Sequence, residues 1–174
     1  MFYDNQSPRN IKLTNTNHKP PKHAVEVKNL IKTYGRSKKK PEVTALSGIN
    51  LSVPRGALFA LLGQNGAGKS TLINTLGGLI TKNFGSVKIW GIDIDKHPRN
   101  ARAAIGIVPQ ELNLDAVFTP REYLNMQAGL YGVSPADTKT DEILERVGLS
   151  SVADSYARTL SGGMRRRLLI AKAM

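Results

Sequence analysis

Between Ala24 and Val27 apolar and polar side chains alternate, and the pattern continues towards Tyr34. A period of two predicts a strand. Val43–Val53 has the same character and closes at Pro54-Arg55-Gly56, a turn signal. Ala57–Leu62 differs: it is an unbroken apolar run bounded by glycines, which predicts a buried central strand. Past Gly63–Gly68 the period lengthens, with Leu72, Ile73 and Leu76 on one stripe. That predicts a helix from Lys69 that runs out at Gly77-Gly78. Ser86–Trp90 predicts another strand ended by Gly91, residues 98–104 a short helix, and Ile105–Val108 a further strand. Later segments mark their own starts. Thr119-Pro120-Arg121-Glu122 has the residues of a capping box with proline at the first helical position. Ser134-Pro135-Ala136-Asp137 repeats the arrangement and predicts a helix up to Gly148. A final helix begins near Ser161 and is still running at Met174. Strands alternating with helices, followed by several helices, read as an α/β chain with a helical insertion.

Composition narrows the chemistry. The 174 residues suit one domain of ordinary size. There is no cysteine, which excludes disulfide frameworks, cysteine-zinc sites, iron-sulfur clusters and thiol nucleophiles. The longest apolar run falls far short of the ~18–20 residues of a membrane span, and the N-terminus lacks the apolar core of a signal peptide. The net charge is +12, and residues 1–44 carry +7 of it, with ten basic side chains against three acidic. Residues 1–23, rich in Asn, Thr, Pro and Lys, read as a flexible basic lead-in, and Gly35–Pro41 as a basic turn. Such charge fits nucleic acid, anionic lipid or nucleotide phosphate, and equally a solvated tail.

The sharpest motif is Gly63-Gln64-Asn65-Gly66-Ala67-Gly68-Lys69-Ser70, a full match to G-x-x-x-x-G-K-[ST]. Glycines allow successive backbone N–H groups to converge on phosphate oxygens. The helix that follows adds its N-terminal N–H groups and dipole. Lys69 supplies a full charge for the outer phosphates, Ser70 a hydroxyl for Mg2+, and Thr71 a further phosphate contact. The motif follows an apolar run and precedes a helix, so the chain is expected to bind a nucleoside triphosphate.

About ninety residues later, Leu160-Ser161-Gly162-Gly163-Met164-Arg165-Arg166-Arg167 opens another helix. Ser161 suits an N-cap, and the two glycines leave backbone N–H groups uncovered. Two anion-binding helix ends far apart in one chain invite a dimer in which one subunit's second site covers the other's nucleotide. With Val108-Pro109-Gln110-Glu111 between them, the sequence over about 24–174 resembles the ATP-binding domain of ABC (ATP-binding cassette) transporters. In that resemblance Gly63–Thr71 is the Walker A loop, Leu160–Met164 the signature motif and Gln110 the Q-loop glutamine. Tyr34 resembles the aromatic residue on which adenine stacks. Taken singly, Gln110 also reads as a plain loop glutamine, Tyr34 as a strand-end aromatic and Ser161-Gly162-Gly163 as a turn.

The resemblance implies a P-loop NTPase (RecA-like) core with an antiparallel β subdomain and an inserted helical subdomain. Its divisions fall at a tail over 1–23, a core over about 24–109, a Q-loop and helical region over about 110–160, and a signature helix over about 161–174. ATP and Mg2+ are the implied cofactors, Lys69 and Gln110 the catalytic pair, and Ser70 and Gln110 the metal contacts. Gly63, Gln64, Asn65, Gly66, Ala67, Gly68, Lys69, Ser70, Thr71 and Tyr34 would hold the nucleotide, and Ser161, Gly162 and Gly163 would cover a partner's. Two such domains would close head to tail on ATP and drive a transmembrane permease subunit from the inner, cytoplasmic face of the cell membrane. Met164, where the family usually has Gln, with Arg165-Arg166-Arg167, resembles the exporter branch. The arginine run also reads as a solvated helix face.

The family's Asp-Glu strand (Walker B), D-loop and switch histidine do not appear after the signature helix. His18, His23 and His97 all precede it and are expected at the surface, and Asp93, Asp95 and Glu111 read as loop acids. A chain cut before Walker B is expected to bind ATP and to hydrolyse it poorly. Two other readings stay open: a soluble ABC protein acting on ribosomes or nucleic acid, and a nucleotide-binding remnant. The absence of a basic stripe interleaved with aromatics speaks against nucleic acid.

Overall fold

The computed structural model describes residues 20–35, 42–111 and 114–174. The lead-in up to Lys19, with His18, and the basic turn at 36–41 lie outside the described residues. The chain divides into two compact units, one ending at Ile105 and one spanning Gly106–Met174.

The first unit is built on a four-stranded antiparallel sheet in the order β2-β1-β3-β4. Its strands are β1 (His23–Tyr34), β2 (Val43–Pro54), β3 (Phe84–Ile89) and β4 (Ile92–Asp93). The central β1 pairs Val27 with Leu51 on one side and with Val87 on the other. A strict period of two cannot put both Val27 and Leu30 on one face. The register shifts between them, with Asn29 in the left-handed region at φ 49° and its N–H held by Asn50 Oδ1 at 2.9 Å. The bulge turns both side chains inward, and each is fully buried. Leu46, Val87 and Ile89 join them, packed by Leu72 of α1 (Lys69–Leu76) and Ala101 of α2 (Pro98–Ala103). The strand expected to stop at Gly91 ends at Ile89 and turns there. Trp90 (φ 52°) and Gly91 (φ 77°) form a two-residue connection into β4, the left-handed pair that suits a tight hairpin.

Two expected strands are corrected. Ala57–Leu62 and Ile105–Val108 are both irregular, and Leu58 and Leu62 are almost fully exposed. A central strand exists through hydrogen bonds to neighbours on both edges. Among the described residues no strand lies beside either segment. The apolar run therefore encodes a demand for burial without the partner that meets it. The stripe on α1 also shifts: Leu72 and Thr75 are buried, whereas Ile73 is exposed.

The second unit is helical, with α3 (Pro120–Leu130), α4 (Thr140–Arg146) and α5 (Gly162–Ala173) joined by three short 3-10 turns. Its core gathers Tyr123, Leu124, Leu144, Leu149, Leu160 and Leu168, with Phe118 edge-on to Tyr123 at 5.6 Å. The capping box of α3 forms in full: Thr119 Oγ1 accepts the Glu122 N–H at 3.2 Å, and Glu122 Oε2 accepts the Thr119 N–H at 2.8 Å. The helix expected from Ser134 is interrupted. Pro135–Asp137 makes one 3-10 turn, Thr138 is extended, and α4 begins at Thr140. Thr138 Oγ1 donates to Pro135 O at 3.0 Å, a local bond that competes with helix propagation. Arg121 fastens the start of α3 to Asp141 at 2.5 Å and to Asp154 at 2.7 Å. Hydrogen bonding to Asp154, then Asp141, raises the guanidinium above its usual range, and the same bond holds Asp154 below the usual carboxylate range.

Candidate functional site

The phosphate loop connects the irregular run Ala57–Leu62 to α1. Gly66 and Gly68 sit in the left-handed region at φ 84° and 85°, where other residues are strained. Gly68 is also crowded, since a Cβ there would stand 2.4 Å from Ala45 O of β2. The loop is thus pressed against the sheet at Gly68 and open to solvent at Gly66. The half-buried Lys69 folds back, its Nζ donating to Gly63 O and Gln64 O, each at 2.6 Å. The Ala67 N–H donates to Gln64 O at 3.2 Å and tightens the turn.

The start of α1 differs from the other helix starts with side-chain caps. Thr119 caps α3, and Ser161 Oγ caps α5 by accepting the Met164 N–H at 3.2 Å. Gly68 offers no side-chain cap to α1, and its first turn holds no acid. First-turn N–H groups have no intrahelical acceptor, so here they are left for an external one. Backbone donors, an uncapped helix dipole and the Lys69 ammonium gather at one exposed loop, and these residues fit a polyphosphate. Ser70, in the first turn of α1, is exposed with its hydroxyl available to a metal-phosphate complex.

Tyr34 ends β1 41% exposed, with its hydroxyl 3.5 Å from Thr71 Oγ1 of α1. The structure therefore brings Tyr34 beside the helix that the loop opens. Lys32, which sequence reasoning passed over, lies in the same place: its Nζ stands 5.0 Å from the Tyr34 ring centroid. Two-residue spacing along a strand was the available signal, because positions 32 and 34 share a face. Of the acids in this unit, Asp93 accepts the Asp95 and Lys96 N–H groups at 2.9 and 3.3 Å, bonds that hold its carboxyl below the usual range. Asp95 pairs with Lys82 at 2.8 Å. His97 is exposed, and His23 lies 3.8 Å from Glu26.

In the second unit, Gly162 and Gly163 at the start of α5 are exposed, and a Cβ on either would meet nothing within 4 Å. No packing inside the described chain asks for glycine there. Of the arginines that follow, Arg166 and Arg167 are exposed, as a solvated face requires, and all three also reach backbone carbonyls. Arg165 donates to Arg158 O at 2.9 Å, Arg166 to Gln110 O at 3.1 Å, and Arg167 to Val147 O and Gly148 O at 2.9 and 3.0 Å. Arg167 thereby satisfies carbonyls at the end of α4, where a cation also meets the helix dipole favourably. Arg166 ties the backbone at Gln110 to the helix that begins with Ser161. Among the described residues no helix is long and apolar enough to cross a membrane, and no cluster of three or more His, Asp or Glu side chains could hold a metal.

Residues 46–174 match the family model described as ABC transporter. The linearmycin resistance ATP-binding protein LnrL of Bacillus subtilis is 38% identical over 152 residues, covering 86% of this chain and 47% of that protein. The Nod factor export ATP-binding protein I of Paraburkholderia xenovorans is 39% identical over 156 residues, covering 88% and 49%. The daunorubicin/doxorubicin resistance ATP-binding protein DrrA of Streptomyces peucetius is 35% identical over 88% of this chain and 46% of its own. The chain thus spans about half the length of the curated relatives it matches. Among solved structures, an ATP-binding subunit of an ABC transporter superposes with a TM-score of 0.72 at 30% identity, covering 86% of this chain and 61% of that one. CbiO1 of Clostridium perfringens, part of the ABC transporter complex cbiONQ, gives 0.72 at 29% identity over 88% and 61%. A glycine loop shaped for polyphosphate, in a chain that the family model matches over most of its length, carries one conclusion: this chain belongs to the ABC transporter family.

Proposed function

We propose that the chain is the ATP-binding part of an ABC exporter, with the nucleotide held on Gly63–Thr71. The observation that carries this is the start of α1, where a folded-back ammonium and a glycine loop stand at a helix end with neither cap nor acid. Gly63, Gln64, Asn65, Gly66, Ala67 and Gly68 present backbone N–H groups to the phosphates, Lys69 exchanges its carbonyl partners for phosphate oxygens, and Thr71 adds a contact. Tyr34 carries the adenine. Bound Mg2+ supplies charge that offsets the phosphates, with Ser70 as its anchor on α1 and Gln110 as the second contact.

Ser161, Gly162 and Gly163 cover the nucleotide of a paired domain, which explains glycines that none of the described residues crowds. The Arg166 bond gives Gln110 a mechanical link to that same helix. Nucleotide occupancy, dimer closure and the position of the helical unit then become one equilibrium, because the γ-phosphate favours only the closed state. The helical unit faces a transmembrane permease, so the chain works as a peripheral protein on the cytoplasmic face. The division into a tail over 1–23 and an ATP-binding domain over 24–174 follows from the same reading.

Calorimetric titration of the folded chain with ATP and Mg2+ tests the proposal. Uptake of ATP that weakens at least about tenfold in Lys69→Ala is expected, as loss of a charge-assisted contact requires. Absence of uptake, or equal affinity in Lys69→Ala, would overturn it.

A further inference from the structure

Lys32 belongs neither to the phosphate loop nor to the buried core. Its ammonium makes no ion pair among the described residues, and its neighbours are a ring and a carbonyl: Nζ donates to Thr81 O at 2.7 Å and stands 5.0 Å from the centroid of Tyr34. We infer that Lys32 is a positioning residue for the nucleotide base, occupying one face of the Tyr34 ring so that a purine stacks on the other. The inference rests on the proposed role of Tyr34 as the base platform.

Three features make this more than a passing contact. The carbonyl that holds Lys32 is itself fixed, because the segment after α1 is sewn to β1: the Asn83 N–H donates to Ile31 O at 3.0 Å, and the Thr33 N–H to Asn83 Oδ1 at 2.9 Å. The bond to Thr81 O holds the ammonium beside the ring. At its other end the ring's hydroxyl lies 3.5 Å from Thr71 Oγ1, which places that end of Tyr34 beside α1. Finally, Tyr34 remains 41% exposed with that cation in place, which leaves ring surface for a ligand. A cation behind the ring draws π density towards itself, and the opposite face then attracts an electron-rich base more strongly. Lys32 acts on the base through Tyr34, whereas Lys69 acts on the phosphates directly.

Calorimetric titration of the full chain with ATP and with inorganic tripolyphosphate separates the two roles. Lys32→Met is expected to weaken ATP by about two- to fivefold, the range of a partly exposed cation–π contact. Tripolyphosphate binding stays unchanged, which also certifies that the variant folds. Lys32→Arg, which keeps a cation over the ring, restores ATP binding. Tyr34→Ala weakens ATP by about tenfold or more through lost stacking. Wild-type ATP affinity in Lys32→Met alongside a weakened Tyr34→Ala overturns the inference and leaves the base platform standing. Equal losses for ATP and tripolyphosphate in Lys32→Met overturn it as well, since they mark a general charge effect. Wild-type affinity in Tyr34→Ala removes both the platform and its support.

Discussion

Gly66 and Gly68 have nearly the same backbone conformation, φ 84° and 85°, and opposite surroundings. Alanine at either position pays the left-handed strain of about 1–2 kcal/mol. At Gly66 the new methyl meets nothing within 4 Å, so that strain is the whole cost. At Gly68 the methyl stands 2.4 Å from Ala45 O and 3.0 Å from Leu46 Cδ2. Ordinary contact begins near 3.4 Å, so α1 has to withdraw from β2 by about 1 Å. Overpacking of this kind adds about 1–3 kcal/mol. Gly68→Ala should therefore be less stable than Gly66→Ala by about 1–3 kcal/mol, which lowers the urea midpoint by about 0.5–1.5 M at a slope near 2 kcal/mol/M. Trp90 is the single tryptophan and lies in the unit that carries the loop, so its fluorescence follows the relevant transition. Equal midpoints for the two variants would refute the assignment of Gly68 as the point where loop and sheet press together.

Three further outcomes follow from the helical unit. Thr119→Ala removes the α3 cap and should destabilise by about 1 kcal/mol, read as a lower melting midpoint in circular dichroism at 222 nm. Leu168→Ala, at a position with no exposure, should cost about 2–5 kcal/mol by the same measurement. The Arg121 bond depresses the folded pKa of Asp154, so its stabilising contribution is present above the unfolded value of about 3.9 and is lost as pH falls through the folded one. Wild-type stability should therefore decline between about pH 5 and pH 2 more steeply than that of Asp154→Asn. Asp154 is largely exposed and Arg121 about a third so, and added salt should narrow the difference.

What the sequence made legible was whatever is settled within one turn of chain. The capping box at Thr119, the cap at Ser161 and the glycine pattern of the phosphate loop each concern bonds to residues three or four positions away. What it hid depends on remote partners. Ala57–Leu62 reads as a core strand because six apolar residues demand cover, yet strand formation needs neighbours, and its leucines stand in solvent. The arginines after Met164 look like a polar helix face, and only tertiary folding brings the carbonyls of Gln110, Val147 and Arg158 to them. Ser134 misleads for a local reason that pattern matching overlooks: Thr138 closes its own bond to Pro135 before a second turn can form.

Glycine inside a helix is a poor choice for stability, about 1 kcal/mol worse than alanine. At the head of α5, Gly162 and Gly163 forgo that advantage although a methyl would fit freely. In the pairing proposed above, the open space over these two glycines is taken by the nucleotide of the partner. A variant with alanine at 163 should accordingly be a sturdier monomer and a worse companion, separating the health of the polypeptide from its ability to work in pairs.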